Sequence, residues 1–204
     1  MLRVRGVHWL FSFSVLFVLL GVWVAFPAQA NERVKSVEIY AAQEQEAATG
    51  DDGLYLDAEV DFTLSPELKE AAAKGVPLYF TADLEVFEQR WWWFDKNVLK
   101  AERTWKLIYS PLTRQWRIGA GDLLRPEESL SDALLALRRV HHWRIGDVSE
   151  LRPGKKYAAR FRLRLDSSLL ARPFQVDLLN RANWSLETPW YDFQFSISDA
   201  KRPD

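Results

Sequence analysis

The sequence predicts a mainly β fold: an immunoglobulin-like β-sandwich of about seven to nine antiparallel strands with two short inserted helices. Three observations carry that expectation. Apolar and polar residues alternate with period two in several separate runs, the pattern of half-buried strands. Turn formers punctuate the runs, as at Gly50-Asp51-Asp52-Gly53, Ser110-Pro111-Leu112-Thr113 and Leu151-Arg152-Pro153-Gly154. Helix-start signals stand at two places, behind Ser65 and behind Ser129.

Residues 1–30 read as an export signal. Arg3 and Arg5 precede an apolar run from Trp9 to Phe26, Pro27 ends it, and Ala28-Gln29-Ala30 offers the small-x-small cleavage pattern. The segment is either removed after Ala30 or kept as a single membrane anchor. Residues 31–204 suit one exported domain.

Arg33 to Tyr40 is the first expected strand, with Val37 and Ile39 on one face, and 43–52 is loop and turn. From Leu54 to Leu64 the even positions Leu54, Leu56, Ala58, Val60, Phe62 and Leu64 face in, and Tyr55, Asp57, Glu59, Asp61 and Thr63 face out. Ser65-Pro66-Glu67 supplies a cap, a proline at the first helical position and an early acid; Gly75 stops that helix. Two strands follow, around Leu78–Val86 and Leu99–Tyr109, as antiparallel neighbours joined through Asp95-Lys96-Asn97.

Between those strands stands Arg90-Trp91-Trp92-Trp93-Phe94. If the tip stays extended, Trp91 and Trp93 point to one side while Trp92 and Phe94 point to the other. Three uses of it remain open: an aromatic core under the second helix, a protein-binding hot spot with Arg90 beside it, or a stacking platform for glycan or lipid.

Arg114 to Gly119 returns as a strand with Trp116 and Ile118 on one face, and 121–128 is loop. The second helix spans 129 to about 140, with Ser129 and Asp132 as its capping pair and Leu130, Leu134 and Leu137 as its apolar face. His141 and His142 then sit at the helix C-terminus, favourable there for the macrodipole. Trp143–Ile145 is a short strand. Lys156 to Asp166 is a very regular one, Tyr157, Ala159, Phe161, Leu163 and Leu165 inward and Arg160, Arg162 and Arg164 outward. A mixed segment, 174–184, precedes a last strand with Tyr191, Phe193, Phe195 and Ile197 on one face.

The stripe Arg160/Arg162/Arg164 matches the acidic stripe Asp57/Glu59/Asp61 in spacing, so the two strands are expected to pair as a cross-strand charge ladder. The functional alternative is an arginine stripe that binds an anionic ligand. Asp83 and Glu85 read as a solvated face.

Composition excludes several chemistries. Without cysteine there are no disulfides, thiolate nucleophiles or zinc–sulfur sites. Losing Arg3 and Arg5 from 27 basic residues leaves the exported part slightly acidic against its 28 acids, a poor match for nucleic acid. No glycine-rich phosphate loop or Gly-x-Ser-x-Gly elbow occurs, and no cofactor or metal is expected. Asp57 with Glu59 is the weakest candidate, as a hydrolytic acid–base pair.

Five blocks carry a family resemblance: Gly75-Val76-Pro77-Leu78-Tyr79-Phe80, Trp91-Trp92-Trp93, Leu112-Thr113-Arg114-Gln115-Trp116-Arg117, Arg162-Leu163-Arg164-Leu165-Asp166 and Arg172-Pro173-Phe174-Gln175-Val176. With these the chain resembles a proteobacterial family of exported proteins, catalogued as domain of unknown function 4390, over most of 34–198. The resemblance implies a periplasmic protein with no established activity, cofactor or catalytic residue. It also implies gene neighbours of the membrane sensor-kinase type, and with them an envelope partner such as a sensor kinase's periplasmic domain. The reading is therefore a non-catalytic interaction module of the envelope. A glycan- or lipid-binding domain using the aromatic tip is the alternative, and a hydrolase comes third. Contact with a membrane is expected only through an uncleaved N-terminal anchor.

Overall fold

The computed structural model describes residues 32–43, 52–88, 96–170 and 184–197. The export segment, the 44–51 loop, the tip Arg90–Phe94 and most of the 174–184 segment lie outside them. In chain order the elements are β1 (Arg33–Gln43), β2 (Asp52–Asp61), α1 (Pro66–Ala73), β3 (Leu78–Glu88), β4 (Lys96–Ser110), β5 (Gln115–Ala120), β6 (Arg125–Glu127), α2 (Leu130–Arg138), β7 (Arg139–Asp147), β8 (Lys156–Leu165) and β9 (Tyr191–Ser196). They form two antiparallel sheets, β1-β2-β7 and β6-β5-β4-β3-β8-β9. The smaller sheet lies across the larger, β7 over β4 and β1 over β8 and β9, and α2 fills in against β2, β5, β6 and β7. The expected mainly β sandwich with two short helices is what forms.

Alternation accounts for the core. The inward residues of the second and eighth strands, Leu54, Leu56, Ala58 and Val60 with Tyr157, Ala159, Phe161, Leu163 and Leu165, are all buried as expected. They meet Leu78, Phe80, Leu84 and Val86 of β3 in one continuous cluster. Aromatic contacts tie the layers: the Phe62 and Phe80 rings lie 6.0 Å apart, and Trp105 meets Trp143 edge-on at 6.5 Å. Both helices start as the sequence specifies. Ser65 Oγ accepts the Leu68 amide at 3.2 Å and Ser129 Oγ the Asp132 amide at 3.1 Å. Gly75, at φ +88°, takes the left-handed turn that closes α1.

Four expectations are corrected. The loop 121–128 contains β6, a short edge strand paired with β5. Its approach is close: a Cβ on Gly119 would stand 1.8 Å from the Leu123 carbonyl oxygen. The second helix ends at Arg138, and 139–147 is a full strand, so His141 and His142 belong to β7 and not to a helix terminus. Leu56 pairs with Trp143 and Ala58 with Val140, which leaves Asp57 opposite both histidines: a β-bulge, with His142 at φ +49°. Tyr55 does point outward, yet it is buried, because the His142 ring stacks on it at 4.1 Å and Tyr40 flanks it at 6.1 Å.

The charge ladder is the fourth. β2 is held between β1 and β7 in the smaller sheet, whereas β8 lies between β3 and β9 in the larger one. The acids Asp57, Glu59 and Asp61 therefore never meet the arginines; Glu59 and Asp61 face Lys35 at 3.2 and 3.9 Å.

Phe161→Ala, which empties a fully buried position, is expected to cost about 3–5 kcal/mol. Leu112→Ala, at a side chain 94% exposed, should stay within about 0.5 kcal/mol of the parent. Urea unfolding reads both, through the midpoint at constant m-value.

Candidate functional site

β3 runs through the larger sheet with Leu78, Phe80, Ala82, Leu84 and Val86 turned to the core. That alternation forces Thr81, Asp83, Glu85 and Phe87 onto the outer side. β8 pairs so that Thr81 stands opposite Arg164, Asp83 opposite Arg162 and Glu85 opposite Arg160. The acids that answer the arginine stripe are thus Asp83 and Glu85, which are not the solvated face the alternation suggested.

Asp83 is 4% exposed. Its Oδ2 accepts from Arg162 Nε at 2.8 Å and from Arg164 Nε at 2.9 Å. Its Oδ1 has no hydrogen-bond partner among the described residues. Arg160 Nε donates to Glu85 at 2.8 Å, and Lys100 approaches the same carboxylate at 3.4 Å. Arg162 also bonds Glu187, and Arg164 reaches Asp166 at 2.9 Å. Burial opposes the Arg164 charge, but the bonds to Asp83 and Asp166 outweigh it and hold its pKa above the ordinary value. Burial likewise opposes the Asp166 carboxylate; the Ser168 hydroxyl, Arg164 and the Ser168 amide outweigh it and hold the acid below its ordinary range.

Beyond β8, residues 186–188 continue the line of β9: the Leu165 amide donates to Leu186 O at 2.7 Å and the Thr188 amide to Leu163 O at 2.9 Å. This docking swings Trp190 over the arginines. Its ring lies 4.5 Å from the Arg160 guanidinium carbon and 4.3 Å from that of Arg162, and Arg160 also sits 5.3 Å from the Phe87 ring. The outer side is therefore a surface of guanidinium and aromatic planes whose arginine charges are compensated by carboxylates. Bound in this way, Arg160, Arg162 and Arg164 have donors already engaged by carboxylates, which makes them poor receptors for a simple anion and fixes their side chains in place.

The remaining candidates are dispersed. Asp57 is taken up by the bulge: Oδ1 accepts the His142 amide at 2.7 Å and the Tyr40 hydroxyl at 3.1 Å, and Oδ2 lies 2.8 Å from His141 Nδ1. Glu59 points to Lys35 instead, so Asp57 and Glu59 hold separate partners. No three His, Asp or Glu side chains converge on a metal position among the described residues. Arg90, Trp91, Trp92, Trp93 and Phe94 lie outside the described residues and directly follow the Phe87 end of β3 in sequence.

Two residues escaped the sequence reading. Trp190 had a weak signal, an aromatic just after Pro189 and outside the last strand's alternation. Arg103 had a stronger one, since it interrupts the inward row Leu99, Ala101, Trp105 and Leu107 of β4.

The family model described as Domain of unknown function (DUF4390) matches residues 40–194, and the chain belongs to that family. No curated protein and no solved structure matches it.

Two measurements check the arginine–acid geometry. In a double-mutant cycle Arg162→Ala and Asp83→Ala should couple by about 1 kcal/mol or more, whereas Arg162→Ala and Glu59→Ala should add within about 0.5 kcal/mol. Asp166 has its pKa depressed on folding, so its stabilisation is complete above the ordinary 3.8 and lost as pH falls through the folded value. Asp166→Asn should accordingly flatten the acid limb of the stability–pH curve relative to the parent.

Proposed function

We propose that this member of a family of unknown function is an exported, non-catalytic interaction module of the bacterial envelope, and that it presents the outer side of its larger sheet to another envelope protein. The observation that carries the reading is the Trp190–Arg160–Arg162 stack set beside Phe87. Tryptophan and arginine are the residues most enriched in protein-binding hot spots. Here the arginines are held in place by carboxylates and Trp190 lies stacked on Arg160 and Arg162, so little side-chain freedom is left to lose on association.

The tip Arg90-Trp91-Trp92-Trp93-Phe94 extends the same composition beyond the end of β3, and we assign it to the same contact. Export rests on the N-terminal segment 1–30. The periplasmic domain of a membrane sensor kinase is the first partner to test. Binding of glycan or lipid by the tip is the competing reading, and a hydrolase at Asp57 comes behind both, because its carboxylate is occupied by the bulge.

Photo-crosslinking in cells from positions 92 and 194 tests this, with position 112 on the exposed β4–β5 turn as control. A discrete protein adduct is expected from 92 or 194 and none from 112. Trp190→Ala should reduce that adduct by about tenfold or more, in keeping with a hot-spot loss above 2 kcal/mol. Absence of an adduct at both positions, together with salt-insensitive retention on peptidoglycan, would overturn the protein-partner reading in favour of the glycan one.

A further inference from the structure

Arg103 faces the opposite way from the arginines of β8. On β4 it pairs with Ala82, and it shares the inner side of the sheet with Trp105 and Leu107. There it lines a cleft of about 780 Å³, open to solvent, between β4, β5, residues 122–125, α2 and the start of β7. That volume is within the range of small-ligand sites. Apolar walls come from Trp105, Ile118, Ala136 and Val140, and Leu123 at the rim is 84% exposed.

The charges in this cleft are not compensated as they are on the outer side. No hydrogen bond or ion pair reaches the Arg103 side chain among the described residues; its guanidinium carbon lies 5.3 Å from the Trp105 ring centre. Burial lowers its pKa, the mark of a guanidinium losing water without gaining a carboxylate. The Arg139 side chain lines the same cleft, also without a hydrogen bond or ion pair among the described residues. Arg125 has Glu127 only at 4.0 Å, and Asp122 is the one carboxylate in the lining. A cationic end set in apolar walls suits an anion that carries an apolar body.

We propose that this cleft binds a small anionic amphiphile, a carboxylate or phosphate head on a single alkyl or acyl chain. Arg103 and Arg139 receive the head, and Trp105, Ala136 and Leu123 line the chain. The site lies on the other side of β4 from the outer surface, so it stands or falls independently of the protein-partner reading.

Isothermal titration calorimetry tests it on the protein expressed with its own N-terminal segment. The probes are decanoate and decyl phosphate, against decanol and inorganic phosphate. The two charged amphiphiles are expected to bind at least tenfold more tightly than either control. Arg103→Gln should lose at least tenfold in affinity while its thermal midpoint holds or rises, because no partner is orphaned. Ala136→Trp should abolish binding by filling the chain's space. Arg139→Gln, at an exposed position, should weaken binding several-fold and serves if Arg103→Gln disturbs folding. No binding of decanoate or decyl phosphate, decanol binding as well as decanoate, or both arginine variants behaving as the parent would overturn the site. Inorganic phosphate matching decyl phosphate would reduce it to a simple anion site and overturn the amphiphile.

Discussion

β3 lies between β4 and β8 with its inner row fully buried and Asp83 on its outer side nearly so, and this double burial leaves it one register. A slip by one residue would turn Asp83 and Glu85 into the core and bring Leu84 out among the arginines. An unpaired carboxylate in that core would cost several kcal/mol. The same register sets Arg160, Arg162 and Arg164 directly across from their acids. It thereby fixes where β8 presents its outer edge, where residues 186–188 dock, and where Trp190 comes to rest. The outer surface is a consequence of how the core of β3 is packed.

The protein treats arginine in two ways. On the outer side each guanidinium of the β8 stripe has a carboxylate within hydrogen-bond distance and, at Arg160 and Arg162, an indole face above it. Such a surface has little net field and little freedom, which favours broad contact with a protein over capture of an ion. On the inner side Arg103 keeps its charge between layers without an acid, next to a tryptophan and a solvent-reaching cleft. One arrangement is at rest without a ligand. The other is improved by one.

The bulge in β7 shows how a small sheet absorbs an extra residue. With two histidines opposite Asp57, one strand carries a residue too many, and His142 takes a left-handed conformation that an imidazole side chain tolerates at some cost. Asp57 offsets that cost by accepting the His142 amide, and Tyr55 stacks beneath the ring. The pair that resembled helix-terminal histidines, and the acid that resembled one half of a hydrolytic dyad, are both parts of this local repair.

Much of this fold is written in local pattern. Period-two alternation named the core-facing residues of β2 and β8 one by one, the Ser65 and Ser129 caps placed both helix starts, and Ser110-Pro111-Leu112-Thr113 placed the turn before β5. Lys96 and Asn97, expected in a turn, instead belong to β4 and pair with Glu88 and Phe87. The arginine stripe was legible as a stripe, and Arg103 was legible as a break in an apolar row. Pairing was not legible. Two acidic stripes, Asp57/Glu59/Asp61 and Asp83/Glu85, share the spacing of the arginines, because every strand has the same repeat. The three-acid stripe that matches them in number is the one that does not pair. The end of α2 was also beyond it, since Val140 continues a helical face as readily as it opens a strand. Alternation is a property of a few neighbouring residues, so the sequence alone determined which side of β2, β3 and β8 faces the core. Which strand lies alongside which depends on how two layers share one core, and only the tertiary structure decided that β2 goes with β1 and β7 while Asp83 goes to the arginines.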